Sequence, residues 1–166
     1  SLQLKVSYGT TGNSGISAYN ALALVGSGLL YNGQPGIAPS TVGNDNLTWE
    51  SMKTLNVGIS TRVFDRFSVE LEFYNRQTDD MLMGYPLSYT TGHGSSVENV
   101  ASMRNRGFDI TLGVDILKTR DFSWSVSGNL NYNKNEITKL FNGLDEYTLP
   151  DTGLKMKVGK PWGEYY

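Results

Sequence analysis

Four stretches of this chain alternate apolar and polar residues with a period of two. Leu55, Val57, Ile59, Thr61 and Val63 face one way, with Asn56, Gly58, Ser60 and Arg62 between them. Phe67, Val69, Leu71 and Phe73 are interleaved with Ser68, Glu70, Glu72 and Tyr74, and Arg76 continues the polar set. Phe108, Ile110, Leu112, Val114 and Ile116 enclose Asp109, Thr111, Gly113 and Asp115. Phe122, Trp124, Val126, Gly128, Leu130 and Tyr132 alternate with Ser123, Ser125, Ser127, Asn129, Asn131 and Asn133. Of the 20 positions in the first set, 18 are apolar or aromatic; of the 19 in the second, Tyr74 alone is aromatic and none is aliphatic. Only a strand puts alternate residues on opposite faces, so four strands are expected. A shorter fifth precedes them, with Leu2, Leu4, Val6 and Tyr8 against Gln3, Lys5 and Ser7.

The connections differ in length in a regular way. Residues 64–66 and 117–121 are short links, whereas about 40 residues follow Tyr8, nearly 30 follow Arg76 and over 20 follow Asn133. Short and long links in alternation put the tight turns at one end of a sheet and the long loops at the other. Compact soluble domains favour links of about 4–6 residues throughout. Outer-membrane barrels have short periplasmic turns and long outer loops. The strands are also long enough, since about 9–11 tilted residues cross the hydrocarbon. Phe67, Phe73, Phe108, Phe122, Trp124 and Tyr132 stand near the ends of the apolar stripes, as interfacial girdles do. The expected fold is all-β: antiparallel up-and-down strands forming part of a transmembrane barrel, about five or six strands with long outer loops. A soluble β-sandwich also alternates, so a soluble glycan-binding sandwich module is the rival reading. A passive pore of the autotransporter kind is a third.

Composition narrows the choice. Charged residues make up 18% of the chain, and Gly, Asn, Ser and Thr together supply 63 residues against five Ala. That balance disfavours a helical bundle. There is no Cys, and a net charge of −2 with scattered signs offers no basic stripe for nucleic acid. No apolar run approaches the 18 residues of a membrane helix. The chain opens directly into strand pattern at Ser1 and stops in mid-pattern at Tyr166, so a longer parent and a missing signal peptide are expected.

Chemistry is sparse. His93, the one histidine, lies in a glycine-flanked loop beside Ser95 and Ser96, with nothing to fix a nucleophilic arrangement. Asp79-Asp80 and Asn44-Asp45-Asn46 lack calcium-loop spacing and read as solvated loops or caps. Residues 9–15 are glycine-rich but match neither phosphate-binding fingerprint, so they read as a tight exit from a strand. Glu70 and Glu72 share a face with Arg62 and Arg76, and ion pairing inside a lumen accounts for them. No enzyme activity, cofactor or metal is expected. The candidate ligand-binding residues are the loop aromatics Tyr85, Tyr89, Tyr147 and Trp162, whose rings suit stacking on sugars and apolar ligand surface. Rings in long loops also serve to pin those loops to one another, and the sequence leaves both roles open.

Several segments carry a family resemblance. Leu4-Lys5-Val6-Ser7-Tyr8-Gly9-Thr10-Thr11-Gly12-Asn13, Gly43-Asn44-Asp45-Asn46-Leu47-Thr48-Trp49-Glu50 with the following Asn56-Val57-Gly58, and Asn99-Val100-Ala101-Ser102-Met103-Arg104-Asn105-Arg106-Gly107-Phe108-Asp109 are three. Phe122-Ser123-Trp124-Ser125 and Val158-Gly159-Lys160-Pro161-Trp162-Gly163 follow. In this order they resemble the SusC/RagA family of TonB-dependent outer-membrane receptors. Ala101 stands where that family often has Gly, and Asp109 where Glu is usual. The resemblance implies a 22-stranded barrel with an N-terminal plug, of which residues 1–166 would be a barrel segment without the plug. It implies import of large nutrients, oligosaccharides or peptides, across the outer membrane of a Gram-negative, Bacteroidota-like bacterium. A SusD-like surface lipoprotein would act as lid, and the TonB complex would supply energy through a region N-terminal to this chain.

On this reading Leu71 and Ile110 meet membrane lipid, Glu70 and Asn129 line the lumen, and loops of roughly 9–48, 77–104 and 134–158 face outside. Trp49-Glu50 would begin a descending strand and Gly107 would stand at the start of another. Five or six strands cannot close a barrel, so an isolated chain is expected to cover Val57, Leu71, Leu112 and Val126 by non-native packing or neighbouring chains.

Overall fold

The computed structural model describes residues 1–16, 19, 21–149 and 152–163. Its strands are β1 (Leu2–Asn13), β2 (Val25–Tyr31), β3 (Gln34–Pro39), β4 (Glu50–Val63), β5 (Phe67–Pro86), β6 (Ser95–Lys118), β7 (Ser123–Leu140), β8 (Glu146–Thr148) and β9 (Lys155–Lys157). Five of them form one sheet in the order β1-β4-β5-β6-β7, every neighbouring pair antiparallel. The pairs β2-β3 and β8-β9 are separate two-stranded hairpins in the loops.

Register is what turns five alternating strands into a two-faced wall. Leu4 pairs with Ile59, Ile59 with Leu71, Leu71 with Ile110 and Ile110 with Leu130. One step up, Val6, Val57, Phe73, Phe108 and Tyr132 form a second row. Slipping any strand by one residue would send its apolar set to the polar face, so the contrast between the two faces specifies the register. Towards the short turns the apolar band is rimmed by Phe67, Phe122 and Trp124, and towards the long loops by Tyr8, Phe73, Phe108 and Tyr132. From Phe122 to Tyr132 the strand climbs roughly 33 Å at ~3.3 Å per residue. At a tilt of about 35–45° that is a band of about 25 Å, the height of an outer-membrane barrel's apolar belt.

The two tight turns lie at the same end. In the first, Phe64 and Asp65 both adopt positive φ (52° and 53°), and the Arg66 N–H donates to Val63 O at 3.2 Å. Such mirror-image turns match the right-handed strand twist. In the second, Thr119 N–H donates to Phe122 O at 2.8 Å, while Thr119 Oγ1 receives the Phe122 N–H at 3.1 Å.

No second sheet covers the apolar face among the described residues. Val57, Leu71, Leu112 and Val126 are 37–51% exposed, which removes the sandwich alternative. The sheet's hydrogen-bond ladder, not side-chain packing, sets its geometry. Among the described residues a compact apolar cluster lies at the loop end, where Val100, Ala101, Ile137, Leu140 and Met156 pack together.

Strand pairing reaches further into the long links than the sequence suggested. Gly9–Asn13 is no tight exit: it continues β1, paired as far as Asn13 with Glu50. Most of 77–104 is strand, with β5 and β6 paired out to Pro86 and Ser95 around a bulge at Asp79–Asp80, where Asp80 has φ 57°. Beyond the apolar belt neither face is uniformly apolar, so the period-two signal fades while backbone pairing continues. β7 likewise runs to Leu140. The β2-β3 hairpin turns at Asn32-Gly33, both at positive φ; that dipeptide is the strongest short hairpin signal in the sequence.

Candidate functional site

The inward face is a lattice of polar side chains. Lys5 pairs with Glu70 at 3.2 Å, and Arg62 with Asp115 at 2.6 Å. The expectation that Glu70 and Glu72 pair with Arg62 and Arg76 is therefore corrected. The antiparallel register sets Glu70 against Thr111 on one side and Ser60 on the other, and Lys5 on β1, opposite Gly58, reaches it diagonally. Asn56 donates to Ser7 Oγ at 3.3 Å and Asn135 to Asn105 at 2.7 Å, and an amide hydrogen of Asn131 reaches the Asp109 carboxylate.

At the centre of this face Tyr74 lies across Gly107. Its hydroxyl donates to Asn133 Oδ1 at 3.1 Å. A Cβ at Gly107 would fall 2.6 Å from that hydroxyl and would clash with the Tyr132 carbonyl oxygen. Gly107 is thus not at the start of a strand, as the motif suggested. It is in the middle of β6, where only a bare α-carbon lets the ring lie flat on the sheet. Glu72, Arg76, Asp109 and Asn131 surround this ring, in a shallow concavity of about 550 Å³.

Towards the loops the wall becomes a rim. Asn99 accepts the Thr48 N–H at 2.9 Å, and its amide group donates to Thr48 O and Asp80 O at 2.9 and 2.7 Å. Asn44 donates to Val97 O at 3.2 Å. These asparagines clamp the 41–49 segment to β6 and β5, so two of the resemblance motifs are structural fastenings. They border a second concavity of about 400 Å³, lined also by Glu98, Lys139 and Asn142. β4 begins at Glu50, as its motif implied.

The four candidate aromatics separate. Tyr85 and Tyr147 come together, with ring centroids 5.9 Å apart, and Phe141 contacts both, at 5.1 and 4.9 Å. Phe141 was not singled out in the sequence; its position directly after the apolar end of β7 was the available signal. Trp162 packs against the Ile137 and Leu140 cluster, and its backbone N–H donates to Asn135 Oδ1 at 2.8 Å. Tyr89 stands apart at the tip of the β5-β6 hairpin, 93% exposed. His93 lies in the same tip, and no group of metal-ligating side chains occurs among the described residues.

This wall matches a known architecture. A family model described as TonB dependent receptor-like, beta-barrel, matches residues 1–164. The chain belongs to the TonB-dependent receptor β-barrel family. Among curated receptors it is 33% identical over 166 residues to TonB-dependent receptor P39 of Formosa agariphila, covering 99% of this chain and 16% of that protein. It is 32% identical over 118 residues to TonB-dependent receptor SusC of Bacteroides thetaiotaomicron, covering 70% of this chain and 12% of that protein. Among solved structures, a chain of the RagAB peptide transporter superposes with a TM-score of 0.83 at 44% identity. That match covers 97% of this chain and 18% of the transporter chain. The chain thus spans about one sixth of its relatives, and the SusC/RagA resemblance and the partial-barrel fold are both borne out.

Proposed function

We propose that the chain forms part of the wall of an outer-membrane TonB-dependent transporter that imports large nutrients, glycans or peptides, without making or breaking a bond. The carrying observation is the two-faced sheet. One face is an apolar belt rimmed by aromatics, the other an uncharged-to-ion-paired polar lattice, and the two tight turns of the five-stranded sheet share one end. Residues 1–166 would be barrel wall and outer loops, and the plug and the contact with the TonB complex would come from elsewhere in the receptor. The likeness to SusC and to a RagAB chain supports a SusD-like lipoprotein partner. The β2-β3 hairpin offers it an apolar surface, with Leu29, Leu30, Tyr31 and Ile37 all more than half exposed.

Substrate would pass along the polar face beside Tyr74 and Asp109, and meet Tyr89 and the Tyr85-Phe141-Tyr147 group at the rim. Trp162 would then serve to hold the rim in place. The test is uptake of labelled oligosaccharide and peptide mixtures by cells carrying the full-length receptor or a deletion of its gene. Loss of uptake of one class on deletion is the expected result, and Tyr89→Ala should weaken that uptake without lowering receptor level. Equal uptake of both classes with and without the gene would overturn the reading.

A further inference from the structure

The outward face does not end at its aromatic rim. Above the row Val57-Phe73-Phe108-Tyr132 the register continues with Leu55, Asn75, Arg106 and Lys134, then Lys53, Gln77, Arg104 and Glu136, and then Ser51 and Asp79. By the alternation of each strand these side chains point the same way as the lipid-facing residues below them. Each row rises roughly 5 Å, allowing for tilt, so the charges begin within about 5–10 Å of the belt's upper edge. That is the depth of lipid headgroups.

The charges are unbalanced. Glu136 is shared by Arg104, Arg106 and Lys134 at 3.4, 3.8 and 3.5 Å. Lys53 pairs with Asp79 at 3.2 Å. Four cations thus face two carboxylates. Glu136 is largely covered, whereas Arg106 and Lys134 are nearly half exposed. One carboxylate holding three cations keeps them together against their own repulsion without neutralising them.

We infer that this outward cluster binds the phosphate of a phosphorylated lipid headgroup in the outer leaflet. Guanidinium forks match phosphate oxygens in pairs, and Lys134 adds a point charge beside them. A purely structural ion network would be expected near charge balance. It would also have no reason to lie just above the belt on its lipid side, where neighbouring lipids present their headgroups. The inference rests on the proposed membrane placement, and the experiment separates the two.

The full-length receptor, purified in a neutral detergent, is offered phosphatidic acid and phosphatidylcholine of equal chain length, and bound lipids are counted by native mass spectrometry. Wild-type receptor should retain phosphatidic acid in preference. The R104Q/R106Q/K134Q variant should lose that preference by about tenfold or more, since each basic group near an anionic surface contributes several-fold. Glu136→Gln should raise retention, because it frees three cations; a merely structural network would only loosen. Excess inorganic phosphate should compete weakly, since it lacks the chains that seat in the belt. Equal retention of both lipids by wild type, or an unchanged preference in the triple variant, overturns the inference. Failure of the membrane reading would show separately, as a receptor that gives no heat-modifiable barrel band and binds neither lipid.

Discussion

The two faces of the five-stranded sheet are made by the same strands and the same hydrogen bonds, yet they are stabilised in different ways. Within the apolar belt the outward residues, such as Leu71 and Leu112, remain about half exposed and depend on a nonpolar surrounding. Those on the inward face hold one another through cross-strand amides, hydroxyls and ion pairs, such as Asn131 with Asp109 and Tyr74 with Asn133. Tolerance to substitution therefore belongs to a face, not to a strand: adjacent residues of one strand should respond oppositely.

The largest effect should separate Leu112 from its neighbour Thr111. In the full-length receptor Leu112→Arg should cost about 2–4 kcal/mol near mid-belt. Thr111→Arg, opposite Glu70 on the wet face, should stay within about 0.5 kcal/mol. The fraction of folded, heat-modifiable barrel reports both, and equal losses would erase the distinction between the faces. Next comes Gly107→Ala, whose methyl group would meet the Tyr132 carbonyl and the Tyr74 hydroxyl; a cost of about 1–3 kcal/mol is expected from such overpacking. Adding Tyr74→Ala should recover only part of it, because the carbonyl contact remains, and a urea unfolding series of the pair would show this. Tyr74→Phe removes only the hydrogen bond to Asn133 and should cost about 0.5–1.5 kcal/mol in the same series.

The smallest effect lies off both faces, in the β8-β9 hairpin. There the hydrogen bond from Lys155, its charge and the nearby Lys157 outweigh a slight desolvation and hold the Glu146 carboxyl below its ordinary value of 4.5. A depressed carboxylate pKa stabilises the fold above the ordinary value, and that contribution fades as pH falls below 4.5 through the lowered value. Amide exchange in Glu146–Thr148 should therefore quicken in acid relative to the β4-β5 ladder. Uniform quickening of both would show that the hairpin is not an independent unit.

Much of the wall was legible in advance because lipid demands uniformity. Every outward position from Val57 to Val63 apart from Thr61 suits the same apolar surrounding, so the period is clean. The legible part ends where the lipid ends. Past Asp79–Asp80 the ladder of β5 and β6 continues without a uniform environment, and alternation no longer marks the strands. The site was less legible than the fold. Tyr85 and Tyr147 were singled out as rings, but their meeting across Phe141 depends on where β7 stops and how the β8-β9 hairpin returns. The sequence offers Glu70 an arginine partner on its own hairpin, whereas a lysine on β1, far away in sequence, reaches it.

By itself the sequence determined the face each residue occupies, the end at which the tight turns lie and the family to which the chain belongs. These follow from local alternation, link length and motif, and need no knowledge of which strand neighbours which. Only the tertiary structure decided which charges meet, which rings stack, and that Gly107 lies beneath Tyr74. It also showed that Arg104, Arg106 and Lys134 converge on Glu136. Those facts depend on the register between strands, a long-range choice that backbone pairing makes and no single strand encodes.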